Sequence, residues 1–288
     1  MAGCDEKIHG YKGAPMTTVC TEFEGGVNND CYGPKLECPS VHTGVMAAAL
    51  PWAQASEFKS ILQNASNMTA VIVLQRDKGS GTVSGTGPGG YEPSITYNLN
   101  KDDSDNIVNG LEKAFDILAV NPGVNKIWAC HPKQVPYLHD KADGKVDQEK
   151  ERLFKESLRS NGTGVNQLGM FCAHQMGSCR MASSTALGAV DEDGEVWELD
   201  NVHVIDASIF PTASGANPMM TTMALSRGLA KRLIEVHNGT DKGKDILKKR
   251  KERREREGRG NGGSGIGIFL TAAAFGFAAA WIRRQGLL

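Results

Sequence analysis

Two short stretches constrain this chain more tightly than any other part of it. They are Cys172-Ala-His-Gln-Met-Gly-Ser-Cys-Arg-Met181 and Val204-Ile-Asp-Ala-Ser-Ile-Phe-Pro-Thr-Ala-Ser-Gly-Ala-Asn-Pro-Met219. The second runs from an apolar strand pattern, Val202-His-Val-Ile205, through Asp206 to an Asn217-Pro218 pair at the mouth of a predicted helix. Met219, Met223, Ser226, Ala230, Leu233, Ile234 and His237 recur at helical spacing, and Asn238-Gly-Thr240 stops the run. Proline at a first helical position leaves the following backbone N–H groups free, at the positive end of the helix dipole. The two stretches together hold a lone histidine, a strand end and an open helix mouth.

Upstream, residues 1–50 are rich in Gly, Pro and Cys and lack periodicity, which reads like the middle of something longer. Val71-Ile-Val-Leu74 suits a buried strand. Thr82-Val-Ser84 and Ser94-Ile-Thr-Tyr-Asn98 suit an antiparallel hairpin turning through Gly85-Thr-Gly-Pro-Gly-Gly90. Helix caps are offered by Asp103-Ser-Asp105, followed by Ile107, Val108, Leu111, Phe115 and Leu118 at helical spacing and a stop at Asn121-Pro-Gly123. Lys126-Ile-Trp-Ala-Cys130 predicts a further strand, and the polar residues 139–164 a surface excursion. From Gly169 to Pro211 the pattern is strand, loop and hairpin.

The tail carries two further signals. Residues 242–259 hold ten Lys or Arg against four acids, in a chain whose net charge is only −1. Between Arg259 and Arg283 there is then no charge, and the 18 residues Gly265 to Ile282 would span about 27 Å as a helix, close to a bilayer's hydrocarbon core of about 30 Å. With Trp281 and two arginines at its end, the run predicts a C-terminal membrane anchor. The basic stretch before it is read as a juxtamembrane segment on anionic lipid, and nucleic acid is not expected as a partner. Seven scattered cysteines and an unmarked N-terminus point to reduced thiols and a cytosolic body. The sequons at Asn64, Asn67, Asn161 and Asn238 would then stay unmodified. The membrane itself is left open between endoplasmic reticulum, peroxisome and outer mitochondrial membrane.

Oxidising an alcohol by hydride transfer needs a base for the hydroxyl proton, a group that orients the oxygen and an acceptor for the hydride. His174 is the candidate base, because imidazole titrates near neutrality. Asn217 is the candidate orienting group. The free N–H groups of a helix starting at Met219 would meet the negative charge of a reduced flavin. Cys172, His174 and Cys179 fit no common zinc spacing, so no metal site is expected. His131 and His139 are read as loop residues, with a place at a substrate entrance as the alternative. Met219, Met220 and Met223 are read as packing under a flavin.

Together the two stretches resemble the C-terminal signature of the glucose-methanol-choline (GMC) flavoprotein oxidoreductases. Gly13-Ala-Pro-Met-Thr-Thr-Val-Cys20, Pro51-Trp52 and Ile72-Val-Leu-Gln-Arg-Asp77 resemble the long-chain fatty alcohol oxidase branch. The resemblance covers residues from about Gly13 to His237 and implies an α/β (α+β) fold. A GMC-type substrate domain with an antiparallel sheet would occupy residues 1–168. The C-terminal piece of the FAD-binding domain would follow in 169–237, then a basic linker (238–263) and a transmembrane helix (264–282). The resemblance implies FAD as cofactor, His174 and Asn217 as the catalytic pair, and Asp206, Ala207, Asn217, Pro218 and Met219 as the flavin contacts. It further implies oxidation of long-chain primary alcohols to aldehydes, with oxygen reduced to hydrogen peroxide.

The family's dinucleotide fingerprint is missing at the start. The literal G-x-G-x-x-G at Gly85, Gly87 and Gly90 is followed by Pro88 and Pro93, which suit hairpin chemistry better than a phosphate loop. The chain is therefore read as a fragment of a longer oxidase, or as working beside a separate FAD-binding chain. A non-catalytic tail-anchored protein that keeps the substrate-domain shell is the alternative.

Overall fold

The computed structural model describes residues 1–257, apart from residues 15, 51–53, 87–91, 132, 141–144 and 165–166. The expected membrane helix at 264–282 lies outside the described residues. Among those described, no helix is long and apolar enough to cross a membrane. The chain divides into two compact units, one from Met1 to Phe171 and one from Cys172 onward.

The first unit is mixed α/β, and its strand ladders are antiparallel. Its strands are β1 (Ala2–Cys4), β2 (Met16–Cys20), β3 (Lys35–Pro39), β4 (Met68–Thr69), β5 (Ile72–Leu74), β6 (Thr82–Thr86), β7 (Glu92–Thr96), β8 (Val124–Ile127) and β9 (Tyr137–Leu138). Its helices are α1 (Thr43–Ala49), α2 (Ala55–Gln63), α3 (Lys101–Ala119) and α4 (Gln148–Asn161). One sheet runs in the order β4-β1-β8-β9, a second in the order β2-β3-β5, and β6 and β7 form the expected ribbon with Val83 opposite Ile95. Gly87 and Gly90 of the glycine pattern lie outside the described residues.

Phe115 of α3 organises the main core of this unit. It stacks on Phe154 at 4.7 Å and meets the edge of Tyr137 at 5.0 Å, in geometries that aromatic pairs prefer. Ala119, Val124, Ile127 and Leu158 close around them. A second cluster gathers Met46, Ile61, Met68 and Trp128. Gly110 lets α3 come this close to its neighbours, because a Cβ there would lie 2.6 Å from the Val73 side chain and 2.9 Å from Pro34.

Three expectations are corrected in this unit. The cap of α3 is Asn100, which accepts the Asp103 N–H at 2.8 Å. Asp103 is itself fully buried, and its carboxylate receives the N–H groups of Lys78 (3.0 Å) and Gly79 (2.8 Å), tying the turn before β6 to the helix. The strand expected at Lys126–Cys130 is β8, Val124–Ile127. The polar stretch 139–164 is no surface excursion throughout. From 148 to 161 it is α4, capped by Asp147, with Phe154 and Leu158 in the core. The surface charges of α4 masked this: only two apolar residues face inward, one turn apart.

Among the described residues, the second unit has two α-helices, α5 (Met219–His237) and α6 (Asp241–Arg256), set on irregular chain. The expected strand Val202–Ile205 forms only an isolated bridge, with His203 opposite Glu195. Its neighbouring backbone bonds are Val196 N–H to Val202 O at 2.9 Å and Val204 N–H to Gly194 O at 2.8 Å. Val190, Val196, Val202, Val204, Ile209, Phe210 and Leu229 form the core beneath them.

Candidate functional site

The two motif stretches are hydrogen-bonded to each other. In an irregular segment, the N–H groups of Gly177, Cys179 and Met181 donate to the carbonyls of Ala207, Ser208 and Ile209 at 3.3, 2.9 and 2.8 Å. Met176, Cys179 and Met181 meanwhile pack against the core that holds Ile209 and Phe210. Gly177 sits at φ +83°, a region glycine enters without steric cost, and a Cβ there would lie 3.2 Å from the Phe210 carbonyl oxygen.

Residues 207–209 receive these bonds as a short 3-10 turn that Asp206 caps. The buried carboxylate of Asp206 accepts the Ser208 N–H at 2.8 Å and the Ser208 hydroxyl at 2.5 Å. An aspartate whose oxygen is held this way keeps the Ala207 backbone in one conformation. α5 is tied to the same place, since Ser226 Oγ donates to the Ile205 carbonyl at 3.0 Å.

His174 lies three residues before the first rung of this ladder and is half-buried, while Asn217 lies on the far side of the 207–210 turn and is exposed. Pro218 stands at the N-cap of α5, one position earlier than expected, and makes no side-chain cap. α5 is also the one helix among the described residues with neither a side-chain cap nor an acid in its first turn. Its first N–H groups are thus left for an external acceptor, which suits an electron-rich ring edge.

The face that α5 buries differs from the expected one. Thr222, Leu229 and Leu233 face the core, while Met219, Met223 and Ile234 are exposed, as is Met220. Apolar residues occur all round this helix, so periodicity alone did not choose its buried side. The exposed methionines stand in the helix's first two turns, beside the uncapped N–H groups.

The stretch expected as a basic linker includes α6, and α6 turns its arginines inward. Asp191-Glu-Asp-Gly-Glu195 forms a tight loop whose Asp191 carboxylate accepts the N–H groups of Asp193 (2.9 Å) and Glu195 (3.0 Å). Asp191, Asp193 and Glu195 are each at most 3% exposed. Arg253 pairs with Asp191 at 3.2 Å and also with Asp193 and Glu192, and Arg250 pairs with Glu195 at 2.9 Å. Arg254 reaches Asp200 and the carbonyls of Val196 and Leu199 at 3.1 and 3.0 Å. From α5, Arg232 meets the same Asp193 at 2.5 Å.

Burial works against the Arg253 charge, but Asp191, Asp193 and Glu192 outweigh it and raise its pKa above the usual guanidinium value. Burial pushes the Glu195 carboxyl up, against the pull of Arg250 and Arg254. Burial, with Arg250 beside it, brings His203 down to about 4. The outward face keeps Lys242, Lys244, Lys248, Lys249, Lys251 and Arg256, but Asp241, Asp245, Glu252 and Glu255 share it. Three of the ten positive charges that suggested a lipid-binding segment, Arg250, Arg253 and Arg254, are thus paired inside the protein.

Sequence reasoning missed this cage. The signal was present as acids at alternate positions, 191, 193 and 195, and arginines at helical spacing, 250, 253 and 254. His131 and His139 lie in loops, as expected, and both are buried, His131 Nδ1 accepting the Lys133 N–H at 3.0 Å and His139 Nε2 lying 3.1 Å from the Ala119 carbonyl.

The GMC oxidoreductase profile matches residues 76–226, just over half of the chain and inclusive of both motif stretches. The chain belongs to the GMC oxidoreductase family, whose members are FAD-dependent flavoproteins. It is similar to the long-chain-alcohol oxidase FAO4A of Arabidopsis thaliana, at 31% identity over 86% of this chain and 31% of that protein. With the long-chain-alcohol oxidase FAO1 of the same plant it shares 30% identity over 75% of this chain and 26% of the relative. The chain therefore spans less than a third of the length of these relatives. A formate oxidase structure from Aspergillus oryzae aligns over 71% of this chain and 31% of its own, at 14% identity and a TM-score of 0.45.

Proposed function

We propose that the chain is the C-terminal portion of a membrane-anchored, FAD-dependent oxidase of long-chain primary alcohols, forming aldehyde and hydrogen peroxide. The observation that carries this reading is the backbone ladder between Gly177–Met181 and Ala207–Ile209, which binds the two family stretches into one structure.

In this reading His174, half-buried beside the ladder, removes the alcohol hydroxyl proton, and Asn217 hydrogen-bonds the same oxygen to orient it. A positioned base of this kind contributes about 10²–10⁴-fold to rate. FAD, when bound, supplies the hydride acceptor. The uncapped first turn of α5, with Asn217 and Pro218 before it, offers N–H groups and a positive dipole end to that cofactor's electron-rich edge. Exposed Met219, Met220 and Met223 offer apolar, deformable contact to a flat ring. Asp206 and Ala207 approach the cofactor chain through a backbone that the Ser208 contacts keep rigid. Residues 264–282 anchor the protein, with its body on the cytosolic side, in a membrane into which alcohols of long chain length partition.

The experiment supplies an FAD-binding part, on the same or a separate chain, and assays the FAD-loaded protein against primary alcohols of increasing chain length, with aldehyde and peroxide measured together. The expected result is one peroxide per aldehyde and a preference for long chains. No specific FAD binding, once that part is supplied, would support the non-catalytic shell instead.

A further inference from the structure

We infer that Arg253 is a positioning residue, which holds the loop 190–196 and through it the register of the backbone that carries His174. The inference rests on the reading of His174 and Asn217 as the reacting pair, but it concerns how they are held and not what they do.

The argument follows the hydrogen bonds outward from α6. Arg253 spans Asp191 and Asp193, and Asp193 is shared with Arg232 of α5. The buried Asp193 carboxylate thus joins the loop to α5 and α6 at once. The loop is short and closed on itself, with Asp191 N–H bonded to Glu195 O at 2.9 Å and Gly194 N–H to Asp191 O at 2.9 Å, so it moves as one piece.

Its next residue back is Val190, which is fully buried. The Val190 carbonyl accepts the Ala182 N–H at 3.0 Å, and the Arg180 carbonyl accepts the N–H groups of Ala189 (2.9 Å) and Val190 (3.3 Å). Arg180 and Ala182 flank Met181, the last rung of the ladder to Ile209. On its other side the loop is bonded to the strand that leads to Asp206, through Val204 N–H to Gly194 O at 2.8 Å. The loop therefore grips both motif stretches, and the arginine grips the loop.

The chemistry demands an arginine there. Three buried carboxylates within five residues repel one another, and without a cation between them the loop opens or takes up protons. A planar guanidinium reaches two carboxylates at once, whereas a lysine ammonium is a single point charge. α6 is a clasp on this reading, and its outward lysines have no part in it.

The test is hydrogen exchange on the 288-residue chain, resolved to the amides of Gly177, Cys179 and Met181. It compares Arg253→Met, Arg253→Lys and Ile246→Ala, the last of which removes a buried apolar contact of α6 and leaves the arginine pairs in place. Arg253→Met is expected to lower protection of these three amides at least tenfold, with those of Val124–Ile127 changed less than twofold. Arg253→Lys is expected to restore part of it, and Ile246→Ala to leave the ladder within twofold of wild type. Unchanged ladder protection in Arg253→Met, or equal loss in Ile246→Ala, would overturn the inference. Should Arg253→Met fail to fold, Arg253→Lys decides by the same comparison, with ladder loss confined to it supporting the inference. Loss of alcohol oxidation in a His174 variant bears on the reacting pair alone and leaves this outcome untouched.

Discussion

Met181 donates its backbone N–H to the carbonyl of Ile209 at 2.8 Å, closing a ladder between two stretches separated by more than twenty residues. Ile209 is buried in the core at the same point, so packing and hydrogen bonding act on one register. Met176, Cys179 and Met181 pack against that same core, so loss of this pairing would disturb their packing as well.

Gly177→Ala tests the ladder's first rung. At φ +83° an alanine costs about 1–2 kcal/mol in backbone strain, and its Cβ would press on the Phe210 carbonyl at 3.2 Å. The second unit should lose stability of that order in urea, with faster exchange at Cys179 and Met181.

Asp206→Ala should cost about 1 kcal/mol, the usual worth of a side-chain cap. Asp206→Asn keeps an oxygen acceptor for the Ser208 N–H and should cost only a few tenths as much. Equal losses in the two variants, measured by urea unfolding, would show that the charge and not the cap matters.

The buried cage predicts a pH dependence with a definite sign. His203 has a folded pKa of about 4 against an unfolded value near 6.5, so the unfolded chain takes up a proton first as pH falls. Its contribution is present above about 6.5, is lost as pH falls toward about 4, and amounts to about 3 kcal/mol at the limit. Glu195, raised by burial, acts in the opposite sense and favours the folded state as pH falls. His203→Gln should therefore flatten the stability profile between pH 6.5 and 4 relative to wild type. A profile unchanged by the substitution would remove His203 from the account.

In the first unit, Phe115→Ala should cost about 3–5 kcal/mol, since it opens a cavity between Phe154 and Tyr137. Ile117→Ala, two residues away on the exposed side of α3, should stay within about 0.5 kcal/mol. The comparison is made by urea unfolding of both variants.

The parts of the fold that were legible in the sequence were those whose local pattern agrees with their surroundings. α3 has an apolar stripe and β6–β7 flank a Gly-Pro stretch, and both elements form, though α3 begins earlier than its expected caps. α4 was hidden because its core contact rests on only two residues, Phe154 and Leu158, under a charged surface. The Val202–Ile205 run reads as a strand but makes only an isolated bridge, because its partner 190–196 is a closed acidic loop. Asp103 and Arg253 were misjudged for one shared reason. Charge in a sequence reads as solvent-facing, and only the fold shows the partner that makes burial tolerable. The proximity of the His174 stretch to Asp206 was implied by resemblance, whereas the ladder itself depends on a long-range register that no local pattern encodes.

The most direct test of the central claim is anaerobic reduction of bound flavin by a long-chain primary alcohol, with an FAD-binding part supplied on the same or a separate chain, in wild type and in His174→Ala. The account predicts that wild type loses its oxidised-flavin absorbance on mixing, and that the variant keeps its flavin but reacts about 10²–10⁴-fold more slowly. Equal rates in the two proteins would contradict His174 as the base, and no reduction in wild type would contradict alcohol oxidation itself.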